Sequence, residues 1–185
     1  MPEMPEKMTT EDGSVEWRLN GERHREDGPA VEQSDGSKVW FFKGKQHRVG
    51  GPAVEHFDGT KEWWIHGVLH RDDGPAIIES NGTQEWHQKG AYHREDGPAV
   101  IREDGVRQWW LHGVRHRPDG PAVIEEQEMN QWWINGALHR EDGPAIEYAD
   151  GTREWYLCGI QVSETVVLDV VKREKFFREH LNSDE

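Results

Sequence analysis

Histidine is the residue type in this chain that most directly suggests chemistry, and there are 11 of them. Six, His24, His47, His70, His93, His116 and His139, are each followed by arginine and recur at a constant spacing of 23 residues. Imidazole serves as a metal ligand or a general base near neutral pH. The repeated histidines, however, are expected ~10 Å apart, two strand widths, which is several times a metal–ligand bond of ~2 Å, so one ion cannot bridge neighbours. Each is instead expected to stack on a tryptophan and donate one hydrogen bond. His66 and His112 fall at turn positions held elsewhere by Asn or Lys. The Arg-x-Asp pairs, such as Arg71 with Asp73 and Arg94 with Asp96, read as structural: Asp caps a turn before Gly-Pro while Arg pairs with it or with the next repeat. The copy at Val49-Gly50 lacks the carboxylates and should be locally weaker. No nucleophile–base constellation and no phosphate-binding loop of the GxxxxGK type is present, so the sequence implies no catalytic residue, no metal, no cofactor and no enzyme.

The elements that carry these residues come from the repeat itself. The segment His-Arg-x-x-Gly-Pro-Ala occurs six times without insertion, which means one small unit is stacked on copies of itself. Within each unit two glycine-containing turns separate short runs bearing apolar residues. Asp104-Gly105 and its equivalents (Asp12-Gly13, Asp35-Gly36, Asp58-Gly59, Asn81-Gly82, Asp150-Gly151) predict two-residue hairpin turns, and His112-Gly113 predicts a second. In the unit from His116, Glu128 replaces the glycine, and a distorted or looser turn is expected.

Counting outward from a two-residue turn sets Val100 opposite Trp109, Ala99 opposite Trp110 and Ile101 opposite Gln108, with His116 opposite Trp109 again. Alternation then gathers one structural ladder on a core face. It comprises Trp17, Trp40, Trp63, Trp86, Trp109, Trp132 and Trp155, the column from Val31 to Ile146, and the six histidines. The opposite face takes the variable column Arg18, Phe41, Trp64, His87, Trp110, Trp133 and Tyr156, with Ile78, Ile101 and Ile124 in its middle. An aromatic stripe within a rim of glutamates suits a protein partner presenting apolar and basic groups. Alternatively the rings simply cover their cross-strand alanines.

The fold class is therefore an all-β repeat: an elongated, single-layer stack of antiparallel β-hairpins, roughly 60–70 Å long at ~10 Å per unit. Residues 1–10, polar and with two prolines, read as a flexible leader; 11–162 form the hairpin array, a half repeat plus six units; 163–185 form a cap and tail. Ser163 is the expected N-cap of one amphipathic helix over about 164–181, with Val167, Val170, Val171, Phe177 and Leu181 at helical spacing. The cap seals the C-terminal sheet edge, whereas the N-terminal edge has no lid and offers a site for self-association. A net charge of −14 disfavours nucleic acid and anionic lipid as partners, and no apolar run nears the ~20 residues of a membrane span. The single cysteine, Cys158, fits a cytoplasmic setting without disulfides.

The hairpin unit resembles the MORN repeat family through Trp-x-x-Gly-x-x-His, as in Trp64-Ile65-His66-Gly67-Val68-Leu69-His70 and Trp133-Ile134-Asn135-Gly136-Ala137-Leu138-His139. Where MORN units continue Gly-x-Gly after the histidine, this chain has Arg-x-Asp-Gly-Pro-Ala, similar to repeats in uncharacterised proteins of large bacteriophages, giant viruses and some bacteria. The resemblance covers residues 11–160 and implies an extended β-meander used for scaffolding, dimerisation or membrane association. The functional expectation is a non-catalytic protein-binding module, a scaffold or an inhibitor, of the kind a phage or viral accessory protein or an antitoxin-like protein would be. Two other readings are an acidic DNA mimic and a self-assembling structural protein.

Overall fold

The computed structural model describes residues 4–180. It is a run of antiparallel β-hairpins followed by two short helices, and the chain divides into two units, Met1–His93 and Arg94–Glu185. In the first unit the sheet passes in sequence order through Glu6–Thr9, Val15–Leu19, Val31–Glu32, Lys38–Val39, Val54–Glu55, Lys61–Glu62, Ile77–Ile78 and Gln84–Glu85. In the second it passes through Val100–Ile101, Arg107–Gln108, Val123–Glu125, Met129–Gln131, Ile146–Tyr148, Arg153–Leu157 and Ile160–Val162. Neither sheet closes on itself.

Each repeat makes two different turns. The second is the expected two-residue type I′ turn: His112 and Gly113 have φ of 50° and 81°, and the Asn20, Lys43, His66, Lys89, Asn135 and Cys158 turns match it. The first turn differs from expectation. Its loop holds three residues, with Arg102 N–H donating to Val106 O (2.9 Å) and Gly105 N–H to Arg102 O (3.1 Å). Gly105 supplies the left-handed residue at φ 88°. The Asp104 carboxylate closes the loop by accepting the Val106 N–H at 3.1 Å, as Asp35 does for Ser37 and Asp58 for Thr60, both at 2.8 Å. This third residue shifts the register by one: Val100 lies opposite Gln108 and Ile101 opposite Arg107. The expected pairings of Val100 with Trp109 and of Ile101 with Gln108 do not form.

A one-residue slip exchanges faces, and the consequences run through every column. Val31, Val39 and Val54 pack together, and the rings against them are Phe41 and Trp64. The valine column therefore shares its face with the variable column, while Trp40, Trp63, Trp109 and Trp132 turn to the other side. Ile78, Ile101 and Ile124, one residue beyond Ile77, Val100 and Val123, point away from the variable rings rather than sitting among them. Ala30, Ala53, Ala76, Ala99, Ala122 and Ala145 are fully buried. The main-chain N–H groups of Trp17, Trp40, Trp63, Trp109 and Trp132 donate to the alanine carbonyl of the next repeat, as Trp40 does to Ala53 and Trp109 to Ala122, both at 2.8 Å. The expected closure of His116 onto Trp109 is present, His116 N–H donating to Trp109 O at 3.1 Å.

Three further segments differ from expectation. Within the leader, Glu6–Thr9 is a strand paired along its length with Val15–Arg18, because Thr10, Asp12 and Ser14 close a hairpin between them. The edge of the Val15–Leu19 strand is thus covered. The turn at Glu128 keeps a three-residue loop, with Glu128 N–H bonded to Glu125 O at 2.9 Å and pairing extended to Glu125 and Met129. Glu128 does not take the left-handed φ of the glycine it replaces, so the turn is altered in conformation rather than loosened. The capping helix is two helices, α1 (Glu164–Leu168) and α2 (Val170–His180). Asp169 interrupts them by leaving helical dihedrals and capping α2, its carboxylate accepting from Val171 and Lys172 N–H at 3.0 and 3.2 Å. Ser163 sits at the N-cap of α1 without making a side-chain cap bond. The break resets the helical phase, so Val167 and Phe176 are buried against Leu157 while Val170 and Val171 are exposed. Leu181 lies outside the described residues.

Non-glycine residues strain the type I′ turns unless they are asparagine. Lys89→Asn should therefore raise stability by about 0.5–1 kcal/mol. A urea melt reads this as a higher midpoint at unchanged slope; an unchanged midpoint would contradict it.

Candidate functional site

The His-Arg-x-Asp-Gly-Pro segments form loops laid across the tryptophan face. In the first, the Arg25 guanidinium stacks 4.1 Å from the Trp17 ring centre. It donates to Asp27 at 2.8 Å and reaches Pro29 O at 3.3 Å. Arg71, Arg117 and Arg140 repeat this over Trp63, Trp109 and Trp132, at 4.0–4.1 Å. The arginine pairs with its own loop, as expected, and its hydrogen bond, aided by its charge, holds the Asp27, Asp73, Asp96 and Asp142 carboxyls below the usual range. The glycine is fixed by the same packing, since a Cβ at Gly28 would lie 2.8 Å from the Arg25 Cζ. In the exceptional copy, Arg48 turns to Glu55 at 2.9 Å and sits 3.8 Å over Trp40, so another carboxylate takes the missing role.

Among the described residues His24, His47, His70, His116 and His139 stack on no tryptophan, and the bond that recurs is one that Nδ1 accepts. His24 Nδ1 accepts the Lys43 N–H at 3.1 Å, and His70, His116 and His139 accept in the same way from Lys89, Asn135 and Cys158 at 3.0–3.1 Å. Each donor is the left-handed residue of the following repeat's type I′ turn. The imidazole thus carries its proton on Nε2 and ties one repeat to the next. His24 lies against Phe42 at 5.0 Å, and His47 stacks on His66 at 4.2 Å. Burial and the neighbouring His66 push the His47 pKa down.

The variable column, expected to meet a partner, is satisfied within the sheet. Its rings are half-buried, except His87, which is buried. Each polar hydrogen in the column finds an acceptor two residues earlier on the same face: Trp64 on Glu62 (2.7 Å), Trp110 on Gln108 (3.0 Å), Trp133 on Gln131 (2.9 Å), Tyr156 on Glu154 (2.8 Å) and Arg18 on Glu16 (2.9 Å). Phe41 has no polar hydrogen, and the residue two before it is Val39. This matched pairing was visible in the sequence as the alternation of Glu, Gln or Val before Trp-aromatic.

His87 breaks the pattern in one respect. Its Nε2 meets Glu85 at 3.0 Å, with Tyr92 Oη on the same carboxylate at 3.1 Å, but its Nδ1 is buried without a partner. Burial and the Glu85 charge push the Tyr92 pKa up to about 12. Among the described residues no group of three His, Cys, Asp or Glu side chains is placed to hold a metal ion.

Four concavities lie on the tryptophan face, which the sequence does not single out. One groove of 540 Å³ runs between the loops at Arg25 and Arg48, with Trp40 and Phe42 in its lining; the next, of 610 Å³, holds Trp63 and Ile65 and shares Arg48 as a wall. In the second unit, grooves of 660 and 790 Å³ hold Trp109 with Leu111 and Trp132 with Ile134, sharing Arg117, Pro118 and Asp119. No helix among the described residues is long and apolar enough to cross a membrane. The chain matches no protein-family model, and no curated protein is significantly similar to it.

Three outcomes test this geometry. Gly28→Ala should cost on the order of 1–2 kcal/mol, because its methyl displaces the Arg25 guanidinium, and should cost much less in an Arg25→Ala background; equal costs would refute the clamp. His87→Trp should add about 1 kcal/mol by giving Glu85 an indole donor and removing the orphaned Nδ1; a lower midpoint would contradict it. The depressed His47 pKa means the folded state disfavours the charged form. Stability should be full above the ordinary pKa of about 6.5 and fall as the pH drops through it. In His66→Asn the NMR titration of His47 should move up and the pH slope flatten; an unmoved titration would show His66 to be irrelevant.

Proposed function

We propose that this chain is a non-catalytic protein-binding repeat module. The observation that carries this reading is the recurrence of one groove, lined by the same residue types, between successive loops in each unit. A catalytic centre breaks the symmetry of its scaffold; a periodic surface suits a ligand that is itself extended or repetitive. The groove lining combines tryptophan, a second apolar side chain (Phe42, Ile65, Leu111 or Ile134) and proline with a charged rim, the mixture that gives interfaces both anchors and orientation. The hairpin with Trp-x-x-Gly-x-x-His resembles MORN repeats, which adds weight to a scaffolding role. The overall charge of −14 favours a basic partner.

Affinity capture on the immobilised chain tests it, run at low and high salt beside a Val49→Arg, Pro118→Arg double variant. Both positions are exposed groove residues, and arginine there opposes a basic partner. One protein held in stoichiometric amount by the unaltered chain and reduced on the variant is the expected result. Equal retention on both, or retention only of nucleic-acid-binding proteins that DNA displaces, would contradict it.

A further inference from the structure

We infer that the grooves receive a proline-rich, basic segment in the polyproline II conformation, one three-residue turn per repeat; this rests on the binding-module reading above. The first argument is periodicity. Each repeat contributes two strands to the sheet, so neighbouring grooves within a unit are spaced by ~9.6 Å. A polyproline II helix has three residues per turn and a rise of 3.1 Å, so the same side faces the sheet every ~9.3 Å. Across the two adjacent grooves of a unit the mismatch is a fraction of an ångström. An extended β-strand presents one side every two residues, ~6.6 Å, and does not match.

The second argument is an unspent donor at the same period. Trp64, Trp110 and Trp133 give their indole N–H to Glu62, Gln108 and Gln131. Among the described residues the groove tryptophans Trp40, Trp63, Trp109 and Trp132 donate through Nε1 to no protein atom, and none of these nitrogens is a buried orphan, so all reach solvent. A polyproline II segment leaves its backbone carbonyls without internal hydrogen bonds. An α-helix, whose seven-residue repeat also advances ~10 Å, uses its carbonyls internally and offers these donors nothing.

The third argument is charge. Each of the loops Arg25-Glu26-Asp27, Arg71-Asp72-Asp73, Arg94-Glu95-Asp96 and Arg140-Glu141-Asp142 carries two carboxylates against one arginine. The Asp27 and Asp142 side chains are 83% and 85% exposed. Lysine or arginine at one position of each triplet would lie beside this rim while prolyl rings occupy the grooves.

The test is titration of the full chain, ¹⁵N-labelled at tryptophan, with a peptide of repeated Pro-Pro-Lys triplets. Controls are a peptide of the same composition with its lysines gathered at one end, and one of repeated Gly-Ser-Lys triplets. The indole resonances of Trp40, Trp63, Trp109 and Trp132 should shift while those of Trp64, Trp110 and Trp133 hold. Both controls should bind on the order of tenfold more weakly, as should Trp109→Phe, which keeps a ring for Arg117 but loses the donor. Pro118→Arg, on the exposed rim, should weaken binding without touching the fold. Equal affinity for all three peptides would reduce the effect to charge and overturn the inference, as would shifts confined to the Trp64 column. If no peptide binds while affinity capture still yields its protein, this occupant is wrong and the binding-module reading stands; failure of the capture as well would sink both.

Discussion

The arginine clamp is the interaction on which the rest depends. A guanidinium held flat on a tryptophan ring, tied to an aspartate two residues on and to a proline carbonyl, folds each loop back across the sheet. The stacking is worth about 0.5–2 kcal/mol and the exposed ion pair less, but the geometry matters more than either. It covers one face of a thin sheet that has no second layer, sets the close approach at the loop glycine, and spaces the loops so that a groove opens between neighbours within each unit. The recurrence of His-Arg-x-x-Gly-Pro-Ala thereby has a structural explanation.

Contacts between successive repeats follow a second rule: side chains near many of the turns accept main-chain N–H groups from the next repeat. Histidine Nδ1 accepts from the following type I′ turn, and Ser14, Ser37 and Thr60 accept at the three-residue turns from Ser34, Phe57 and Ser80 at 3.0–3.1 Å. Turns at sheet margins usually leave such groups to water. Here both margins are stitched, which suits a scaffold with little apolar core. Where the array ends, Cys158 N–H occupies the last histidine and Arg173 of α2 donates to Val167 O and Glu141 O at 2.6 and 2.7 Å, joining the helices to the final loop.

Much of this was legible in the sequence. The 23-residue period, the hairpins, the type I′ turns and the closure of His116 onto Trp109 follow from Gly spacing and hydrophobic alternation. The faces did not, because Asp-Gly serves both a two-residue turn and a three-residue loop in which Asp caps the residue after Gly. One residue of difference moved Trp109 and Ile101 across the sheet. The helix break was missed because Asp169 reads as a polar position on a helix surface and acts as a cap. The Glu6–Thr9 strand was hidden by its polarity, since an edge strand exposed on its outer side needs little apolar character. The grooves could not be read at all, as they arise from loops folding over a face that had been assigned to the core.

Hydrogen exchange at the tryptophan indoles tests the division of labour between the two aromatic columns most directly. The account predicts slow exchange for Trp64, Trp110 and Trp133, whose N–H groups are held by Glu62, Gln108 and Gln131, and fast exchange for Trp40, Trp63, Trp109 and Trp132, whose N–H groups face solvent. The reverse order, or uniform rates, would mean that the faces are assigned wrongly and that the grooves offer no free donor.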